Sequence, residues 1–411
     1  MPDLTLLTKL LSTFGDDAPA CDASLCLNQR FKAANCHLCA DACPVAAITV
    51  QGANVRIAPE TCVHCGICLH VCPTGVFAAP NQAQADKRLL DAAAPLAGRA
   101  LELTCPANRQ VDKTAAPVEA VVQSGRCLAA LSLAELLDLA QPRQRNLWLN
   151  DSDCAACPLG QALPVIQETA TQANLVLAAW HHPIELRTQI TEPDALTTVH
   201  RVAVFSGQQP SYSRREFLTF VRHTTTQVMS TVAVEALAPL NPMTGSPQPR
   251  GAELSYQRRH LTASVARLGP PPSAAMLTDS LPWVTVQISD ACTACSLCAR
   301  FCPTAAIRWT TQTQTPATDA AAAQPVTTFD LNFIAADCVD CGICQAACPE
   351  DAITLPDSVN PAQIGRRQMQ TLRQGHLGPC RICTIATDLA VRSTCHVCNM
   401  SLTKKRKRLK G

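Results

Sequence analysis

Thiolates are soft ligands suited to iron and zinc, and most of this chain's 25 cysteines fall two or three residues apart. The densest runs are Cys292-x2-Cys295-x2-Cys298-x3-Cys302-Pro303 and Cys338-x2-Cys341-x2-Cys344-x3-Cys348-Pro349. An iron–sulfur cubane needs four thiolates at the corners of a tetrahedron. A CxxCxxC loop can turn three sulfurs inward, and the fourth arrives from the partner run. A pair of zinc knuckles would leave the proline after each fourth cysteine unexplained.

Residues 292–348 resemble bacterial two-cluster ferredoxins at all eight ligand positions. That resemblance implies one [4Fe–4S] cluster on Cys292, Cys295, Cys298 and Cys348, and another on Cys338, Cys341, Cys344 and Cys302. A similar but imperfect copy lies upstream. Its second run is complete, Cys62, Cys65, Cys68 and Cys72-Pro73, and Cys62, Cys65 and Cys68 with Cys43 make one cluster set. Its first run, Cys36-x2-Cys39-x3-Cys43-Pro44, has Ala33 where a cysteine is expected. Cys36, Cys39 and Cys72 therefore need a fourth ligand. The favoured donor is Cys26, because the 25 cysteines then divide into six sets of four with Cys21 left over. Cys21 and a [3Fe–4S] centre are the alternatives. His37, His64 and His396 lie inside cysteine loops and read as groups that tune or shield a cluster.

Two further sets remain. Cys105 follows LELT, Cys127 follows VEAVVQSGR, and Cys154 and Cys157 follow NLWLN, with helix-like stretches between or after them. Alternating strands and helices suggest a parallel sheet, whose carboxyl edge is where open α/β sheets put their ligands. Four thiolates there would make a fifth metal site, and the arrangement resembles the delta subunit of methyl-viologen-reducing hydrogenases, which carries a [2Fe–2S] centre. Four unrelated buried thiols, or a redox dithiol at Cys154 and Cys157, are the other readings. Cys380-x2-Cys383 and Cys395-x2-Cys398, eleven residues apart, fit either a tetrahedral zinc site or a further iron–sulfur cluster, with the iron-rich context favouring iron.

The elements that must position these residues follow from the pattern. The two cysteine-dense regions repeat each other, each with short strands between its clusters: AAITV and NVRIA first, AAIRW and TTFDLNF second. The expected fold is α+β: a ferredoxin-like 2[4Fe–4S] module at 1–90 and a second at 283–356, with an intervening α/β domain at 95–205. A helical segment and Pro/Gly/Ser-rich linker occupy 206–282, and a small metal-bound segment with a basic tail occupies 357–411. TQTQTPATDAAAAQP reads as an exposed extension of the second module's hairpin.

Composition bounds the function. The tail Lys404, Lys405, Arg406, Lys407, Arg408 and Lys410 holds six of the 34 basic residues, leaving 28 against 32 acidic ones in the body. Each oxidised four-thiolate cluster adds a formal charge of roughly −2, so the loaded body is acidic and unlike a nucleic-acid binder. There is no CxxCH for covalent haem, no GxGxxG, no GxxxxGK[ST] and no HExxH. Ser213-Arg214-Arg215-Glu216-Phe217-Leu218 matches a twin-arginine export motif but lies too far along the chain to act as one, and no apolar run reaches membrane-spanning length. The expectation is a cytoplasmic electron-transfer protein or subunit, not itself a catalyst. Its partners would be redox proteins within a larger oxidoreductase, with the tail as a peripheral contact to the inner membrane. An enzyme with its substrate at the middle domain, and a cluster- or zinc-based sensor, are the alternatives.

Overall fold

The computed structural model describes residues 18–401 except Pro80, Arg109, 142–143, 208–253, 272–275, 278–280 and 315–325. The twin-arginine match, most of the Pro-rich stretch, most of the low-complexity hairpin tip and the basic tail lie outside the described residues.

The first module is built around the hairpin Ile48–Gln51 and Asn54–Ile57, paired Ile48↔Ile57 through Gln51↔Asn54. Ile48 and Val55 turn inward while Thr49 and Arg56 face out, the period-two alternation of a half-buried hairpin. A second antiparallel pair, Ala20–Cys21 with Phe77–Ala78, closes the module. The second module repeats the plan. Its hairpin, Ile307–Gln314 with Val326–Ile334, is longer, and Gln287–Ile288 pairs with Ile353–Thr354.

Here the structure adds what the cysteine spacing did not announce. The strand Met369–Pro379 lies antiparallel to Val326–Ile334, and Ala386–Asp388 turns back on it, giving a four-stranded sheet. Gly375 lies where a Cβ would come within 2.9 Å of the Phe329 ring, so the bare backbone leaves room for that ring, which stacks on Trp309 at 4.9 Å.

Between the modules stands a five-stranded, all-parallel sheet. Its order is Ala203–Ser206, Ala120–Gln123, Leu101–Thr104, Leu147–Leu149, Leu186–Thr188. The three inner strands are almost wholly buried, as expected where helices cover both faces. The crossover helix Leu133–Ala140 starts at a capping box, Ser132 with Glu135, and is buried along its whole length. The helix Leu163–Ala179 carries the next crossover.

The region 206–282, expected as a helical segment and linker, carries an ordered helix inside its Pro/Gly/Ser-rich part. Tyr256–Arg267 is a helix capped by Ser255, with Leu261 and Val265 buried one turn apart. Its Arg258 guanidinium donates to the carbonyls of Ala336 (2.9 Å) and Pro282 (2.8 Å), and to that of Cys338. It also lies over the buried Trp283 ring at 5.4 Å. One continuous core therefore runs from Val63 and Ile67 through the parallel sheet to Trp283, Leu331 and Phe333. The apolar spacing of this helix was hidden by the proline- and glycine-rich sequence around it.

Candidate metal centres

Each of the four Cys-Pro runs ends in the same turn. Three residues past the cysteine the backbone is left-handed: Ala46 (φ 52°), Gly75 (φ 73°), Ala305 (φ 52°) and Asp351 (φ 48°). In three of the four, that turn aims the next amide at the sulfur: Ala47 N–H at Cys43 Sγ (3.2 Å), Val76 N–H at Cys72 Sγ (3.4 Å) and Ala352 N–H at Cys348 Sγ (3.3 Å). Left-handed residues recur inside the CxxCxxC loops at His64, Gly66, Ala294, Ser296, Asp340 and Gly342. These kinks let successive sulfurs point to one side of a tight loop. Hydrogen bonds to sulfur are also one of the protein's means of setting a cluster's potential.

The cysteines gather into the expected groups. Cys43, Cys62, Cys65 and Cys68 line one cavity, and Cys302, Cys338, Cys341 and Cys344 line another. Cys292, Cys295 and Cys298 are pushed up by burial and then by nearby sulfurs, Cys348 among those acting on the first two. The deficient set is the informative one. Cys26, Cys36, Cys39 and Cys72 line a single cavity, with Cys26 buried. Cys21 does not line it and instead points its thiol at the Val55 carbonyl (3.6 Å). Cys26 is brought to the cavity by the turn Leu27–Arg30 and by Asn28, a buried residue that sequence reasoning missed. Its side chain accepts from Cys36 N–H (2.7 Å) and donates to the Cys36 carbonyl (2.9 Å), tying Cys26's turn to the cysteine loop.

Without metal the thiols of Cys39, Cys65, Cys341 and Cys344 stay protonated. Burial first, then neighbouring sulfurs, push Cys39 up to about 12 and Cys344 up to about 12, and burial pushes Cys65 and Cys341 up to about 11. Such dry pockets of four thiols, each with N–H groups nearby, fit a cluster that takes thiolate charge and gives nothing to water.

Cys105, Cys127, Cys154 and Cys157 all lie past the carboxyl ends of adjacent parallel strands, the crevice side of the sheet. The Cys127 thiol is pushed up by burial and then by Cys65, Cys105 and Cys154, and the Cys105 thiol by burial and Cys157. Leu159 N–H donates to Cys157 Sγ (3.4 Å). Cys380 follows the strand Met369–Pro379, and with Cys383 it makes the tip of a hairpin; Cys395 and Cys398 lie at the start of a last helical turn. The four sulfurs lie within 4.8 Å of one another. Donation from the N–H groups of Cys395 and Ile382 holds the Cys380 thiol down to about 6.

Three other residues matter to the sites and carry no sequence signature. Arg30 donates to the Cys302 carbonyl (2.9 Å), tying one module to the other, and Phe31 meets Phe301 edge-on at 5.4 Å. His70 lies against the Ala129 carbonyl (2.6 Å), and burial holds its imidazole down to about 4, so it stays neutral between two cysteine loops. Of the histidines inside the loops, His37 is half-buried beside Asn35 Oδ1 (3.3 Å).

A family profile described as a 4Fe-4S dicluster domain matches residues 34–76 and again 291–352. An uncharacterized ferredoxin of Methanocaldococcus jannaschii is 42% identical over 55 residues, which is 13% of this chain and 81% of that protein. The chain belongs to the 4Fe-4S dicluster ferredoxins. Its ferredoxin modules bind multiple [4Fe–4S] clusters, and clusters of this kind carry electrons. No helix among the described residues is long and apolar enough to cross a membrane.

Proposed function

We propose that this chain is a single-file electron wire with five cluster stations, running from the parallel-sheet domain to the far end of the second ferredoxin module. The supporting observation is a chain of neighbouring cysteines. The Cys127 thiol of the sheet set is pushed up by burial and by nearby sulfurs, of which Cys65 of the first module is the foremost. Cys68 is pushed up by burial and by sulfurs that include Cys39 of the deficient set. Arg30, on the turn that carries Cys26, donates to the carbonyl of Cys302 in the second module. Cys298, in turn, feels Cys344. The order is therefore the Cys105 set, the Cys43 set, the Cys26 set, the Cys302 set and the Cys292 set.

A bound cluster at each station would take up and release one electron at a time. The chain's own residues do the rest. The cysteine loops fix spacing, the N–H groups on sulfur stabilise the more negative reduced state, and Arg258 places a buried positive charge against the Cys338 carbonyl. Both ends reach the surface, at the exposed stretch around Ser152–Ala156 and at Ser289–Ala291. Those ends suit transient docking of a donor and an acceptor, with this chain as a subunit of an oxidoreductase.

The test is paramagnetic resonance of the fully reduced chain and its Cys127→Ser variant. Adjacent stations predict a spectrum broadened by spin–spin coupling, with the Cys43-set signal sharpening in the variant. A wild-type spectrum that is the plain sum of isolated clusters would sink the single-file order.

A further inference from the structure

The four sulfurs of Cys380, Cys383, Cys395 and Cys398 are spaced for a different occupant from the rest. All lie within 4.8 Å of one another, and Cys383 and Cys395 are 3.5 Å apart. A single tetrahedral ion with metal–sulfur bonds near 2.3 Å needs sulfurs about 3.8 Å apart. A cubane puts each thiolate on a different iron and needs about 6 Å. Among the described residues no other cysteine set draws its sulfurs this close.

We propose that this site holds one tetrahedral zinc ion, not an iron–sulfur cluster, and that the ion clamps the cysteine loop of the second module's outer cluster. Divalent zinc outranks ferrous iron for a given donor set, and four closed thiolates with no open position are the pattern of a structural zinc. The local fold suits this. Cys380 and Cys395 are buried, but Ile382, Ile385, Leu389, Val397 and Met400 around them are exposed, so the segment has little apolar core of its own. Two N–H groups, of Cys395 (3.2 Å) and Ile382 (3.5 Å), donate to Cys380 Sγ and share the surplus negative charge of four thiolates on a dication.

What the ion holds in place reaches the cluster loop directly. Asp388 N–H (3.2 Å) and Thr387 Oγ1 (3.1 Å) both donate to the carbonyl of Thr293, which lies between Cys292 and Cys295. Arg373 bridges Asp388 (3.1 Å) and Asp290 (3.2 Å), and Arg392 pairs with Glu350, two residues past Cys348. A zinc that fixes the hairpin Leu377–Pro379 with Ala386–Asp388 thereby fixes three points around one cluster set. The inference stands apart from the electron-wire reading, since it needs no electron to pass through the site.

Metal analysis and zinc-edge X-ray absorption of the full chain, purified anaerobically, test it. The expected result is one zinc per chain in a shell of four sulfurs, retained after ferricyanide has bleached the clusters. In the Cys383→Ser, Cys398→Ser variant, zinc is lost while acid-labile sulfide stays constant, and the Cys292-set resonance broadens or shifts. Absence of zinc overturns the proposal. So does a variant that loses about four irons and four sulfides together, which would mark a cubane, or a wild-type chain with a single sulfide-free ferric ion at the site.

Discussion

Ala33, where the repeat calls for a cysteine, is the residue on which the N-terminal module turns. Its absence as a ligand was legible from spacing, and so was the candidacy of Cys26. What the spacing could not carry was Asn28, because an asparagine has no signature as a tether until its two bonds to Cys36 are seen. Replacing Cys26 with Ala should leave three ligands and convert that station to a three-iron form, visible as a new resonance in the oxidised protein. An unchanged spectrum and iron content would hand the role to another donor. The thiols also set a pH dependence. Cys39, Cys65, Cys341 and Cys344 all have raised pKa values in the empty chain, so loading must displace protons that the fold holds tightly. The neutral thiol is favoured below those raised values, and metal competes better as pH climbs toward them. Cluster reconstitution of the apo chain should therefore improve between about pH 7 and about pH 8.5 and fall on acidification, with a flat yield contradicting the account.

At the scale of elements, the helix Tyr256–Arg267 joins the modules. Gly75, in the turn after Cys72, has φ +73° and would place a Cβ 2.7 Å from the Ser255 Cβ at the helix cap. Gly75→Ala should cost about 1–2 kcal/mol from the left-handed backbone alone and more from the clash, read as a lowered denaturation midpoint. Arg258→Met removes a buried cation from three carbonyls. The loss should be about 3 kcal/mol, with the Cys338-set signal the first to disappear on storage. The parallel sheet could be read from its alternating apolar runs, and so could the paired hairpins. The helix could not, since Leu261 and Val265 sit in a region dominated by proline and glycine. The strand Met369–Pro379 was also hidden. Its sequence, MQTLRQGHLGP, holds few strand-forming residues, and it is held as a strand by its pairing with Val326–Ile334.

Across the whole molecule, the shared core makes the sheet domain the physical bridge between two modules that the sequence separates by more than two hundred residues. Repeats and cysteine runs announced the clusters; the hydrogen bond of Arg30 to Cys302 and the nearness of Cys127 to Cys65 arise only from tertiary packing, which spacing does not encode. Because Cys298 neighbours Cys344, Cys298→Ser should abolish the outer station of the second module and alter the coupling of the next, while the first-module signals persist. The measurement that bears most directly on the central claim is the iron and acid-labile sulfide content of the intact chain, purified and assayed without oxygen. Four cubanes plus a further cluster at the sheet predict more than about sixteen irons per chain with nearly matching sulfide, whereas fewer than about twelve would contradict a wire of this length.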